Sequence, residues 1–218
     1  MAIHSDQYVQ IKQSVESKGA VLVAVSKKKS VEEILALYQL GQRDFGENYV
    51  QELVQKQALL PTDIKWHFIG HLQRNKVKLI LPHCSLIQGV DRVELLEEID
   101  KQAARLSKKV DCLLQVHIAT EDTKFGFDAT ELTSVFAILP TLQHVRVIGF
   151  MGMASFTENS QQIQNEFGQL HALFKQWRPH FPTTHPVLSM GMSGDYQLAL
   201  EEGSTMIRIG SLIFGARQ

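Results

Sequence analysis

A lysine at the carboxyl end of a buried strand can shed its water shell and its proton and act as an amine nucleophile toward an aldehyde. Lys27 stands in that position. The apolar run Val21-Leu22-Val23-Ala24-Val25 gives way through Ser26 to Lys27-Lys28-Lys29. A strand-end lysine is more often a solvated side chain, and Lys28 and Lys29 read that way. Near the other end of the chain, Ser189-Met190-Gly191-Met192-Ser193-Gly194-Asp195 and Arg208-Ile209-Gly210-Ser211 are rich in small and hydroxyl residues. Such loops ahead of helix starts expose backbone N–H groups that bind phosphate, although helix capping alone also explains them. Arg208 lies one residue inside its apolar run and points opposite to Ile207 and Ile209 on alternation. A cation there needs a carboxylate or a ligand acceptor, and Glu47 is one structural partner the sequence offers.

Other signals are weaker. Gly191-Met192-Ser193-Gly194-Asp195 approaches a nucleophile elbow, but Asp195 stands where that motif needs glycine. His67 and His71 are four apart but fall in a strand and its loop without the H-E-x-x-H pattern, so His67 reads as a satisfied core histidine. No carboxylate pair is placed for acid–base work, and there is no phosphate-binding P-loop.

These residues have to be positioned by elements, and the pattern supplies them. Short apolar runs alternate with helical periodicity: strands at about 21–26, 43–46, 64–70, 86–90, 110–118, 145–151, 187–190 and 205–209. Capping boxes at Ser30/Glu33, Asp91/Glu94 and Asp128/Glu131 start three of the intervening helices. Residues 5–18 form an extra leading helix, and Gly41 and Gly203 stop two others. Eight strands in strict alternation with helices imply parallel pairing, and eight units close a barrel. The expected fold is therefore α/β, a single (β/α)8 TIM barrel over residues 1–218 with an added N-terminal helix. The alternative is an open doubly wound sheet, against which no G-x-G-x-x-G follows the first strand. In a barrel, chemistry gathers at the carboxyl ends of the strands. Lys27, Gly46 to Asn48, Gly70, His71, His117, Met190 to Ser193, Arg208, Gly210 and Ser211 then become neighbours.

Composition excludes several classes. At 44% hydrophobic, the 218 residues can bury a full core. The 22 basic and 23 acidic residues balance, so net charge favours neither nucleic acid nor an anionic membrane. Cys84 and Cys112 lack metal-ligand spacing and read as reduced thiols of a cytoplasmic protein. No signal peptide is recognisable, and no apolar run approaches the roughly 20 residues of a membrane span.

The segment Trp66-His67-Phe68-Ile69-Gly70-His71-Leu72-Gln73-Arg74-Asn75-Lys76 resembles the signature of the pyridoxal phosphate homeostasis proteins, the YggS/PROSC family. Ala24 to Lys27, Phe45 to Glu52, Ser189 to Ser193, Gly203 to Gly210 and the closing Ile213 to Arg217 agree with it. The resemblance implies a barrel like that of alanine racemase, with pyridoxal 5′-phosphate (PLP) as cofactor. It implies that Lys27 forms the Schiff base and that Arg208 faces the pyridine nitrogen. Ser193, with the backbone of Gly210 and Ser211, is implied to hold the phosphate, and Asn48 to lie near the ring; no metal is implied. His117, where asparagine is usual, and Gly89, where serine is common, depart from the pattern.

Racemization by such a barrel needs proton donors and acceptors on both faces of the substrate, and alanine racemases bring one from a second domain of a partner subunit. No such domain is expected here. The leading expectation is a cytoplasmic, non-catalytic carrier in PLP homeostasis that delivers cofactor to apo-enzymes and works as a monomer. The alternatives are a PLP-dependent racemase-like enzyme, and a barrel that binds another phosphorylated metabolite without using Lys27.

Overall fold

The computed structural model describes residues 3–120 and 125–215. Its eight strands are β1 (Val21–Val25), β2 (Asp44–Glu47), β3 (Lys65–Phe68), β4 (Cys84–Val90), β5 (Val110–Gln115), β6 (Val145–Met151), β7 (Val187–Ser189) and β8 (Met206–Ile209). Every neighbouring pair is parallel, and β1 pairs with both β2 and β8. That last pairing, Val21 with Met206 through Ala24 with Ile209, closes the sheet. The chain is therefore the expected (β/α)8 barrel and not an open doubly wound sheet.

The helices are α1 (Ser5–Ser17), α2 (Val31–Gln39), α3 (Val50–Gln57), α4 (Val77–Ile80), α5 (Val93–Arg105), α6 (Leu132–Ile138), α7 (Ser160–Trp177), α8 (Tyr196–Glu201) and α9 (Ser211–Phe214). The leading helix α1 packs on β1 and α9, burying Tyr8, Ile11 and Val15. The terminal α9 was not expected from the sequence: four residues carry too little periodicity to register. Among the described residues, no helix is long and apolar enough to cross a membrane.

Local chemistry set some boundaries and lost others. Ser30 and Glu33 make the predicted capping box of α2, and Gly41, with φ of 91°, turns the chain beyond it. The box predicted at Asp91 and Glu94 does not form: α5 starts behind Arg92 without a side-chain cap. The Asp91 carboxylate instead accepts from Arg92 Nη1 at 2.5 Å and faces His71 Nδ1 at 3.0 Å. At the third site Asp128 Oδ1 accepts from the Thr130 N–H at 2.8 Å, and α6 begins later, at Leu132, without a side-chain cap. At Asp91 a nearby donor took the carboxylate that the sequence assigned to a helix end, whereas at the third site Glu131 Oε2 accepts from the Asp128 N–H at 2.7 Å, so the return half of the predicted box forms just ahead of α6.

Alternation divides the core in two. Leu22, Ala24, Phe45, Trp66, Phe68, Ile87, Leu188, Ile207 and Ile209 belong to the large cluster between sheet and helices. Val23, Leu86, Leu113, Met151 and Met206 form a separate cluster that alternation places inside the barrel. Cys84 and Cys112 are free and buried, and desolvation pushes the Cys84 thiol up to about 12.

Gly89 has a steric reason here. A Cβ added to it would lie 2.7 Å from the Gly70 carbonyl oxygen and 3.4 Å from Gln115 Oε1. The ends of β3 and β4 meet backbone to backbone, with no room for the serine the family pattern favours. Gly89→Ser should therefore cost about 1–3 kcal/mol of stability through overpacking, read as a lower urea midpoint. An unchanged midpoint would show that this contact has slack.

Candidate functional site

A cavity of about 460 Å³ opens at the carboxyl ends of the strands. Lys27, Asn48, Ser193, Arg208, Gly210 and Ser211 all lie on its wall. These residues come from the ends of β1, β2, β7 and β8, so barrel closure brings both ends of the chain to one mouth. Two other strand-end candidates do not join them. His71 is part-exposed, faces Asp91 and stacks on Phe125 with ring centroids 4.4 Å apart. His117 is not on the cavity wall; its backbone N–H donates to the Phe127 carbonyl at 3.0 Å.

The turn that carries Lys27 is held from behind. Lys56 of α3 donates to the Ser26 carbonyl at 2.8 Å, to Glu47 Oε1 at 2.8 Å and to Glu52 Oε2 at 2.7 Å. Ser26 Oγ donates to Glu47 Oε1 at 2.6 Å, and the Lys28 N–H donates to Glu52 Oε2 at 2.7 Å. Lys28 adopts φ of 60°, a left-handed conformation that costs a non-glycine residue roughly 1–2 kcal/mol. The charge-assisted bonds around it offset that cost. Burial, the largest influence, raises the Glu47 carboxyl above its ordinary value, and the adjoining Lys56 opposes this. Glu47 is thus the partner of Lys56, not of Arg208. Its side chain follows Phe45 to the outer face of the strand.

Lys29 also differs from the expected solvated side chain. It is mostly buried, donates to the Phe214 carbonyl at 2.8 Å, and sits 3.5 Å from Glu33. It ties the start of α2 to the end of α9, a contact between residues 185 apart in sequence that no local pattern reveals.

Arg208 points into the barrel, as alternation required. Nη1 donates to Ser189 Oγ at 2.6 Å and Nη2 to the Gly152 carbonyl at 3.0 Å. Desolvation lowers its guanidinium to about 10, with nearby Asp195 acting in the opposite sense. Two neutral acceptors therefore share a cation that also reaches the cavity.

At the far side, Ser193 Oγ accepts from the Gly210 N–H at 3.4 Å, joining the loops after β7 and β8. The helix α9 starts at Ser211 on the same wall, and the first N–H groups of a helix have no intrahelical acceptor. Asn48 Oδ1 is buried with no hydrogen-bond partner among the described residues. An acceptor so placed costs about 1–3 kcal/mol unless a bound group satisfies it. A carbonyl oxygen awaiting a donor, a confined cation and hydroxyls beside backbone N–H groups fit an anionic, hydrogen-bonding ligand.

The loop after β6 completes the cavity, and sequence reasoning missed it. Met153 to Thr157 line one wall. Buried Glu166 of α7 clamps this loop, accepting from the Ser155 N–H and Oγ at 2.6 Å each and from Gln162 at 3.1 Å. Burial acts to raise the Glu166 carboxyl, but these hydrogen bonds together hold it below its ordinary value. The available signal was positional: Gly152-Met153-Ala154-Ser155 follows a strand end like the other loops.

Residues 5–218 match the family described as alanine racemase, N-terminal domain. A pyridoxal phosphate homeostasis protein of Pasteurella multocida is 39% identical over 214 residues, covering 95% of this chain and 91% of its own. The structure of PipY from Synechococcus elongatus with PLP bound aligns with a TM-score of 0.87 and 35% identity, covering 96% of this chain and 99% of that one. An alanine racemase from Bartonella henselae shares the fold at a TM-score of 0.75 and 20% identity, with 97% of this chain matching 59% of that longer one. The barrel and these relationships along almost the whole sequence lead to one assignment: the chain belongs to the alanine racemase N-terminal domain family, among its pyridoxal phosphate homeostasis proteins.

Proposed function

We propose that this chain holds PLP reversibly on Lys27 and serves its homeostasis, storing the cofactor and passing it to apo-enzymes. The observation that carries the reading is the meeting of Lys27, Arg208, the unpaired Asn48 oxygen and the Ser193/Gly210/Ser211 cluster on one cavity wall. PLP supplies an aldehyde that condenses reversibly with a primary amine, and a ring that draws electrons from the carbon it activates. The protein side divides the remaining work. Lys27 contributes the amine, on a turn fixed by Lys56, Glu47 and Glu52. Ser193 and the backbone of Gly210 and Ser211 would hold the phosphate. Asn48 would lie near the ring, its buried Oδ1 open to a donor. Arg208 would face the pyridine nitrogen, where a cation that only donates hydrogen bonds disfavours a proton.

The shortage of acid–base groups on the wall supports storage over turnover. An arginine at the pyridine nitrogen would weaken the ring as an electron sink, which racemases tolerate, but racemization also needs acid–base groups on both faces of the substrate. Among the described wall residues the ionisable ones are Lys27, Lys29, Asp195 and Arg208. Lys29 is committed to Phe214 and Glu33, and Asp195 Oδ1 accepts from the Met192 N–H at 2.5 Å. Two buried thiols agree with action in a reducing cytoplasm.

Adding PLP to the chain should produce a visible absorption band, and borohydride should fix the cofactor's mass on the peptide containing Lys27. Full retention of band and trapped mass in Lys27→Ala would refute the assignment. Ser193→Ala should weaken PLP binding by about 1.5–3 kcal/mol, the worth of one hydrogen bond to a charged group, measured by equilibrium titration. Storage without turnover is checked in deuterated solvent. The loaded protein should leave the α-hydrogens of common amino acids in place, and rapid Lys27-dependent exchange would favour the racemase-like alternative.

A further inference from the structure

Five polar side chains cross the barrel interior in one continuous path. Arg208 Nη1 donates to Ser189 Oγ at 2.6 Å, and Ser189 Oγ donates to Gln88 Oε1 at 2.7 Å. Gln88 Nε2 is 3.0 Å from His67 Nδ1, and His67 Nε2 is 3.0 Å from Asp44 Oδ1. All five face inward, because each alternates with a residue of the outer cluster: Phe45, Trp66, Ile87, Leu188 and Ile207. Gln88 and Ser189 are fully buried and His67 nearly so. Asp44 is the one member with appreciable solvent contact.

The donor direction along this path is determined from both ends. Arginine can only donate, so Ser189 Oγ accepts and turns its own hydrogen toward Gln88 Oε1. With the Gln88 oxygen used, its amide nitrogen donates to His67 Nδ1 and to Met206 Sδ, 3.2 Å away. His67 Nδ1 is then the bare nitrogen, and Nε2 carries the hydrogen that Asp44 accepts. An ionised carboxylate only accepts, so the Asp44 end also requires the hydrogen on Nε2.

Barrel interiors are ordinarily filled by Val, Ile and Leu, and apolar residues here would carry no desolvation cost. The polar path is accounted for by its end point. Arg208 is held by two hydrogen bonds, and one of them is the last link of the chain. We propose that Ser189, Gln88, His67 and Asp44 are positioning residues, forming a directed hydrogen-bond relay that fixes the orientation of the Arg208 guanidinium toward the cofactor ring. The cofactor part of this inference rests on the function proposed above; the relay itself does not.

The test separates the two. Nitrogen-15 spectra of the histidine rings, recorded on the full chain stripped of cofactor and assigned with His67→Asn, should show His67 protonated at Nε2 and bare at Nδ1. The opposite tautomer overturns the relay, and this measurement needs no variant to bind anything. In PLP-loaded protein, Gln88→Met should move the visible absorption maximum and weaken retention roughly tenfold, the order expected for a lost buried hydrogen bond. Asp44→Asn, whose amide oxygen still accepts from His67, should keep the wild-type band, whereas Asp44→Leu should shift it as Gln88→Met does. A Gln88→Met protein with native near-ultraviolet dichroism and an unshifted band overturns the proposal. If wild-type chain takes up no PLP at all, the functional reading falls, while the His67 tautomer still decides the relay.

Discussion

A guanidinium buried at the centre of a barrel constrains much of what surrounds it. Arg208 is 4% exposed and touches no carboxylate at hydrogen-bond distance among its described contacts. Leaving such a charge unsatisfied would cost several kcal/mol, so the interior supplies hydroxyl, amide and imidazole groups where a purely structural barrel would place aliphatic ones. The Gly152 carbonyl anchors the second nitrogen, which ties the wall after β6 to the same cation. The polar interior is thus the consequence of one residue that faces both the core and the cavity.

Lys27 is governed by the opposite arrangement. It lies on a turn with one residue in a left-handed conformation, held by an ion-paired group on the outer face of the sheet. Lys56, Glu47 and Glu52 fix the backbone around the lysine. The amine-bearing turn and the arginine are therefore secured by separate networks on opposite faces of the sheet.

Legibility from sequence followed the range of the interactions. The strands, the leading helix and the Ser30/Glu33 cap came from residues a few positions apart. The predicted cap at Asp91 failed because another donor, Arg92, was better placed, while at Asp128 the bonds with Thr130 and Glu131 form just ahead of the helix. Lys29 looked solvated because its acceptor, the Phe214 carbonyl, is almost the whole chain away. Gly89 looked like a departure from the family pattern until the Gly70 carbonyl behind it gave the steric reason. The loop after β6 went unassigned because its anchor, Glu166, lies on the following helix.

By itself the sequence determined the number and order of the strands, the position of Lys27 at a strand end, and the placement of Arg208 on the face opposite Ile207 and Ile209. These depend on periodicity and alternation, which are properties of the local backbone. Only the tertiary structure decided that β1 meets β8, that Arg208 is satisfied by Ser189 and Gly152 and not by Glu47, and that a chain of donors reaches from the cavity to Asp44. Hydrogen-bond partners are chosen by distance and direction in space. Alternation fixes which way a side chain points, but barrel closure fixes what it finds there.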